Sequence, residues 1–108
     1  MTLKPEDAER IFKERKMQPA KKPTKKIIGF LTSKGKVFAM PREQAETRIW
    51  FQRPVPPPLN GVELMRDGND GNSNLKPPPL KPLFKSSSLR VEIQSATGLH
   101  NFLDWYMR

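Results

Sequence analysis

The chain has 108 residues, no cysteine, twelve prolines, 35% apolar and 29% charged side chains, and a formal net charge of +9. That length allows one domain with a modest core, and the missing cysteine excludes a disulfide framework and thiolate metal sites and suits a reducing compartment. No apolar run approaches the roughly 20 residues of a membrane span, and the charged start lacks a secretory signal's apolar core, so we expect no membrane partner and a cytoplasmic location, or a nuclear one through the lysines of residues 21–26.

The elements read in chain order as follows. Residues 4–16 read as a helix. Pro5 suits the first helical position, where its missing N–H would be unpaired anyway. Glu6, Asp7 and Glu9 lie early and Lys13, Arg15 and Lys16 late, an order that complements the helix dipole. Ala8, Ile11 and Phe12 form a narrow apolar stripe, so this helix is expected at the periphery. Residues 17–26, with Pro19, Pro23 and four lysines, read as an extended linker.

Residues 26–40 read as a β-hairpin. Ile27, Ile28, Phe30 and Leu31 precede, and Val37, Phe38, Ala39 and Met40 follow, a turn built on Thr32, Ser33, Lys34 and Gly35. Residues 41–45 suit one helical turn. Residues 47–52 read as a third strand, stopped by the prolines of 54–58, and residues 61–65 as a short fourth. Residues 67–74 read as a loop and 75–84 as a proline-rich extended stretch. In residues 88–93, Leu89, Val91 and Ile93 alternate with Arg90 and Glu92, the period of a half-buried strand with its charges outward. Residues 95–107 read as a helix. Leu99, Phe102, Leu103 and Tyr106 line one face, and Ser95 or Thr97 can cap it.

Charge is one-sided. Residues 1–53 hold 14 basic and 6 acidic side chains, a net of +8, and residues 54–108 hold 6 and 5, a net of +1. From Arg10 to Lys36 ten basic residues meet a single acid, Glu14. Such a field seeks phosphate or another acidic surface. Lys21, Lys22, Lys25 and Lys26, with Lys34 and Lys36 at the hairpin tip, supply candidate phosphate contacts. Arg48, Trp50 and Arg53 interleave cations with an aromatic and could stack on or read a base if Trp50 is exposed; the alternative is a solvated basic face and a core tryptophan. On a strand, Arg48 and Trp50 share one face and Ile49 and Phe51 the other. Both faces are buried only if the sheet is covered on both sides.

Other patterns carry less. Residues 48–53 are similar to the Trp-Phe-Gln-Asn-Arg core of a homeodomain recognition helix, but Arg53 stands where that helix has its adenine-reading Asn, and Pro54 would end the helix. Residues 67–78 have the acids of a calcium loop without its ligand spacing, since Gly71 and Pro78 occupy ligand positions. Residues 76–82 fit a Lys-x-x-Pro-x-x-Pro ligand and read as a rigid spacer. His100, the only histidine, pairs with Asp104 across one helical turn as a surface contact. Trp105 either covers the sheet edge or marks a partner surface.

The expected architecture is α+β. A small antiparallel sheet of three to five strands packs against the C-terminal helix, with a peripheral N-terminal helix and proline-rich loops. Residues 1–26 form the basic helix and linker and residues 27–108 the domain. The core draws on Ile28, Phe30, Val37, Phe38, Ile49, Phe51, Leu64, Leu89, Val91 and Ile93 of the sheet, with the stripe of the last helix. The expected function is non-enzymatic nucleic-acid binding, to DNA or RNA, with no cofactor. The alternative is a small accessory or inhibitor protein, of viral or mobile-element type, that docks on an acidic protein surface. Self-association is open in both.

Overall fold

Pro5 opens the first helix, α1 (Pro5–Glu14), and its buried residues Pro5, Ala8, Ile11 and Phe12 face the sheet. A computed structural model describes residues 3–20, 22, 24–42, 45–52, 55–65, 80, 83 and 89–108. Six strands follow the helix: β1 (Gln18–Pro19), β2 (Ile27–Leu31), β3 (Val37–Pro41), β4 (Thr47–Phe51), β5 (Val62–Met65) and β6 (Leu89–Ile93). The chain closes with α2 (Ala96–Tyr106). The sheet is antiparallel throughout, in the order β1-β2-β3-β4-β6-β5.

The α+β class, the antiparallel sheet and the C-terminal helix are as expected; the strand number is six, above three to five. The additional strand is β1, inside the segment read as a linker. Its pairs are Gln18 with Leu31 and Pro19 with Phe30, and the Ala20 amide continues the pairing to the Gly29 carbonyl at 2.9 Å. Both residues of β1 are exposed, so no apolar alternation announces it. Backbone ladder bonds hold it, and the flanking Met17 and Ala20 pack on the two cores.

One face of the sheet carries Phe30, Phe38, Ile49, Phe51, Val91 and Ile93 against both helices. Phe12 lies 4.6 Å from Phe30 and 5.7 Å from Phe38 between ring centroids, and Phe102 lies 5.2 Å from Phe51. The N-terminal helix is therefore not peripheral. Its stripe is narrow, but one large aromatic side chain buries enough area to join the main core.

The opposite face is also covered. Ile27, Val37, Ala39 and Trp50 pack with Leu80 and Leu83. Leu80 sits over Gly29, where an added Cβ would come 2.7 Å from Leu80 Cδ2. Arg90, expected to point outward, is buried on this face across from Trp50. Leu64, expected inside, is 39% exposed, because β5 is an edge strand. Leu89 is half-buried. Pro41, read as the opening of a helical turn, is the last residue of β3. The loop of residues 67–74 and the serines 86–88 lie outside the described residues, as does the proline-rich stretch apart from Leu80 and Leu83.

Side-chain hydrogen bonds lock the ends. Ser95 caps α2, its Oγ accepting from the Gly98 amide at 3.0 Å. The Tyr106 hydroxyl donates to the Val37 carbonyl at 2.7 Å and accepts from the Gln52 amide at 2.9 Å. Burial pushes the Tyr106 phenol up to about 12.

Candidate nucleic-acid interface

Lysines near one another in sequence are held at two turns at opposite ends of β2. At the first, Thr24 organises the backbone. Its Oγ1 accepts from the amides of Lys26 at 3.3 Å and Ile27 at 3.1 Å, and its own amide donates to the Ile27 carbonyl at 3.0 Å. A hydroxyl that satisfies local amides in this way fixes a turn that side-chain packing does not. Arg42 buttresses the same turn. Its amide donates to the Lys26 carbonyl at 2.9 Å and its Nη1 to the Thr24 carbonyl at 2.7 Å. Lys25 and Lys26 consequently stand on an ordered turn, both exposed.

The second turn uses another threonine. Thr32 Oγ1 accepts from the Lys36 amide at 3.2 Å, and the Thr32 amide donates to the Lys36 carbonyl at 2.8 Å. Gly35 takes φ +82°, the left-handed region that glycine enters without strain. Lys34 is exposed at this tip, and Lys36 lies half-buried with Nζ 5.2 Å from the centroid of the Tyr106 ring. Lys16, exposed with φ 56°, precedes β1 at the same end of the sheet.

Between these turns the chain follows the outer edge of β2. Ala20 bonds to Gly29 and Thr24 to Ile27 through the main chain, and Lys22 between them is exposed. Lys16, Lys22, Lys25, Lys26 and Lys34 thus line one sheet edge. Lys21 and Arg53 lie outside the described residues.

Arg48 and Trp50 do not join this edge. Trp50 is 1% exposed beneath the Leu80 and Leu83 side chains, so it offers no stacking platform, a correction to the sequence expectation. Trp50 and Arg48 share a face as expected, but that face is covered. Arg48 is half-buried between carboxylates, 3.5 Å from Glu46 and 3.5 Å from its cross-strand partner Glu92.

Arginines and lysines divide the work. Arg10 pairs with Asp7 and Arg15 with Asp104, while Arg42 grips Glu9 through two bonds of 3.0 Å. The planar guanidinium matches a carboxylate in a two-point grip that an ammonium cannot make. Lys16, Lys22, Lys25, Lys26 and Lys34 enter no ion pair among the described residues. Sequence reasoning missed Thr24, Thr32, Arg42 and Lys16 as parts of this edge. A threonine three residues before the first apolar strand residue was the available signal for the first turn.

The surface contact expected between His100 and Asp104 is bridged by an arginine from the other helix. Arg15 stands between the helices, its Nη1 donating to His100 Nδ1 at 2.9 Å and its Nη2 to Asp104 Oδ1 at 2.7 Å. The guanidinium hydrogen bond holds the Asp104 carboxyl below its ordinary value. Trp105 rests on the core, with ring centroids 6.1 Å from Phe51 and 6.0 Å from Phe102. Among the described residues no group of three or more His, Cys, Asp or Glu could hold a metal ion, and no helix is long and apolar enough to cross a membrane. No family model matches the chain, and neither a curated protein nor a solved structure matches it.

Proposed function

We propose that this chain is a non-enzymatic nucleic-acid-binding protein that holds backbone phosphates along its lysine-lined sheet edge. The observation that carries the reading is the separation of cations. Arginines take up the neighbouring carboxylates, while Lys22, Lys25, Lys26 and Lys34 stand exposed along the edge without an ion pair among the described residues. Each ammonium is a mobile point charge suited to a phosphate oxygen, and each phosphate neutralised releases counterions. The binding requires no cofactor, and the protein works where nucleic acid is, in the cytoplasm or nucleus. Docking on an acidic protein surface is less well supported, because such an interface turns on apolar anchors, whereas Trp50 is buried and Trp105 packs inward.

The test is fluorescence anisotropy with labelled DNA and RNA across a salt series. Four phosphate contacts at a slope of about −0.9 each weaken affinity on the order of 10²-fold between about 50 and about 200 mM salt. Replacing Lys22, Lys25 and Lys26 with Ala flattens that slope by about 2.7. Absence of binding to any nucleic acid at the low-salt end would overturn the reading and put docking on an acidic protein in its place.

A further inference from the structure

The two turns that carry the exposed lysines are joined by a ladder of fixed length. β2 pairs with β3 over five consecutive residues, from Ile27 opposite Pro41 to Leu31 opposite Val37. At about 3.3 Å per strand residue, with the turn residues at each end added, Lys26 and Lys34 stand roughly 20 Å apart. The separation is rigid for two reasons. The strand between is buried on both faces, and each turn is held by its own threonine hydroxyl. The intervening edge carries Lys22 and no acidic side chain on β1 or β2.

We infer that the ligand of this edge is a duplex segment, gripped at two phosphate clusters about six base pairs apart, one by Lys25 and Lys26 and the other by Lys16 and Lys34. The inference rests on the phosphate-binding reading above and names its ligand. A duplex advances about 3.4 Å per base pair, so a span of roughly 20 Å matches about six steps. It is also stiff over that span, with a persistence length of about 150 base pairs, so its phosphates arrive already spaced and little ordering entropy is lost.

A single strand is the poorer match. Proteins that bind single strands combine a basic track with aromatic platforms on which bases stack. Among the described residues no aromatic side chain is exposed; the large apolar side chains that are exposed are Val55 and Leu64. Among the described residues the edge therefore provides phosphate contacts at a set spacing and no exposed aromatic side chain beside them.

The experiment uses the full chain and two variants, K25Q/K26Q and K16Q/K34Q, whose substitutions all lie at exposed positions. Probes are labelled DNA and RNA hairpins with one common loop and stems of about 4 to about 12 base pairs, and unstructured single strands matched in phosphate number. Affinity for hairpins is expected to rise by at least about tenfold as the stem passes about six base pairs, because the second cluster then binds intramolecularly. Either variant loses that step while keeping its affinity for the shortest stem within a few-fold of the other's. Long stems bind at least about tenfold more tightly than matched single strands. The DNA-to-RNA ratio identifies which helix form presents the better spacing, and a step with either supports the inference. A smooth rise with phosphate number, or single strands binding as tightly as long stems, would overturn this inference and leave the phosphate-binding reading intact. Loss of binding to every probe would overturn both.

Discussion

The two faces of the sheet are built from the same strands by different means. The face toward the helices is closed by two amphipathic segments whose apolar residues recur at helical spacing, and its centre is a run of aromatic contacts from Phe12 through Phe30 and Phe38 to Tyr106. On the other face the described cover is Leu80 and Leu83, from a stretch of sequence with no period, with Ala20 and Leu31 packed beside them. Leu80 packs directly over Gly29, which has no side chain beneath it. The described contacts on the first face are overlapping aromatic ones, and those on the second include a close fit of leucine on glycine. On this face the buried Trp50 Nε1 has no hydrogen-bond partner among the described residues. An unmatched buried donor costs about 1 to 3 kcal/mol, which is a sizeable fraction of a small domain's stability.

Removing the aromatic anchor of the first face should have the largest effect. Phe12→Ala deletes a ring packed on Phe30 and Phe38 and should cost about 3 to 5 kcal/mol in a denaturant titration. A loss below about 1 kcal/mol would return α1 to the periphery.

The second face is tested by a double-mutant cycle. Leu80→Ala should cost about 2 to 5 kcal/mol, the range for truncating a fully buried leucine. Gly29→Ala should cost about 1 kcal/mol or more in the parent chain, where the new methyl meets Leu80, and be neutral or stabilising in the Leu80→Ala background. Additive effects would show that Leu80 does not sit on Gly29.

Tyr106 gives the smallest and most pH-specific effect. Tyr106→Phe leaves the Val37 carbonyl and the Gln52 amide without their shared hydroxyl and should cost about 1 to 2 kcal/mol at neutral pH. The folded-state phenol ionises near 12 against an ordinary 10.0, so the native state holds its proton more tightly than the unfolded chain. Stability from this group is full below about pH 10 and falls as pH rises toward 12. Thermal melts of the parent chain should show that alkaline loss, and the Tyr106→Phe variant should lack its tyrosine component.

Much of the fold could be read from local pattern. The β2–β3 hairpin, β4, β5, β6 and α2 fall where alternation, turn chemistry and the Ser95 cap put them. Lysine exposure at Lys22, Lys25, Lys26 and Lys34 also followed from residue type, since an unpaired ammonium is rarely buried. The misses share a cause. Period-two alternation in β6 put Arg90 in solvent, but alternation marks only which residues share a face and not whether that face is wet. Local pattern leaves Trp50 open between a base-stacking surface and the core, and the core wins because Leu80 and Leu83, some thirty residues away in the chain, cover it.

Residue chemistry alone decided the periods of the strands and helices, the chain's excess of positive charge, and the lack of cysteine ligands, because these depend on single side chains and their immediate neighbours. Only the folded chain decided that the central strands are buried on both faces, that among the described residues arginines make the ion pairs with carboxylates, and that lysines from three separate stretches share one edge. Those outcomes depend on which strand pairs with which, and the β1–β2 pairing rests on main-chain hydrogen bonds that carry no side-chain signature.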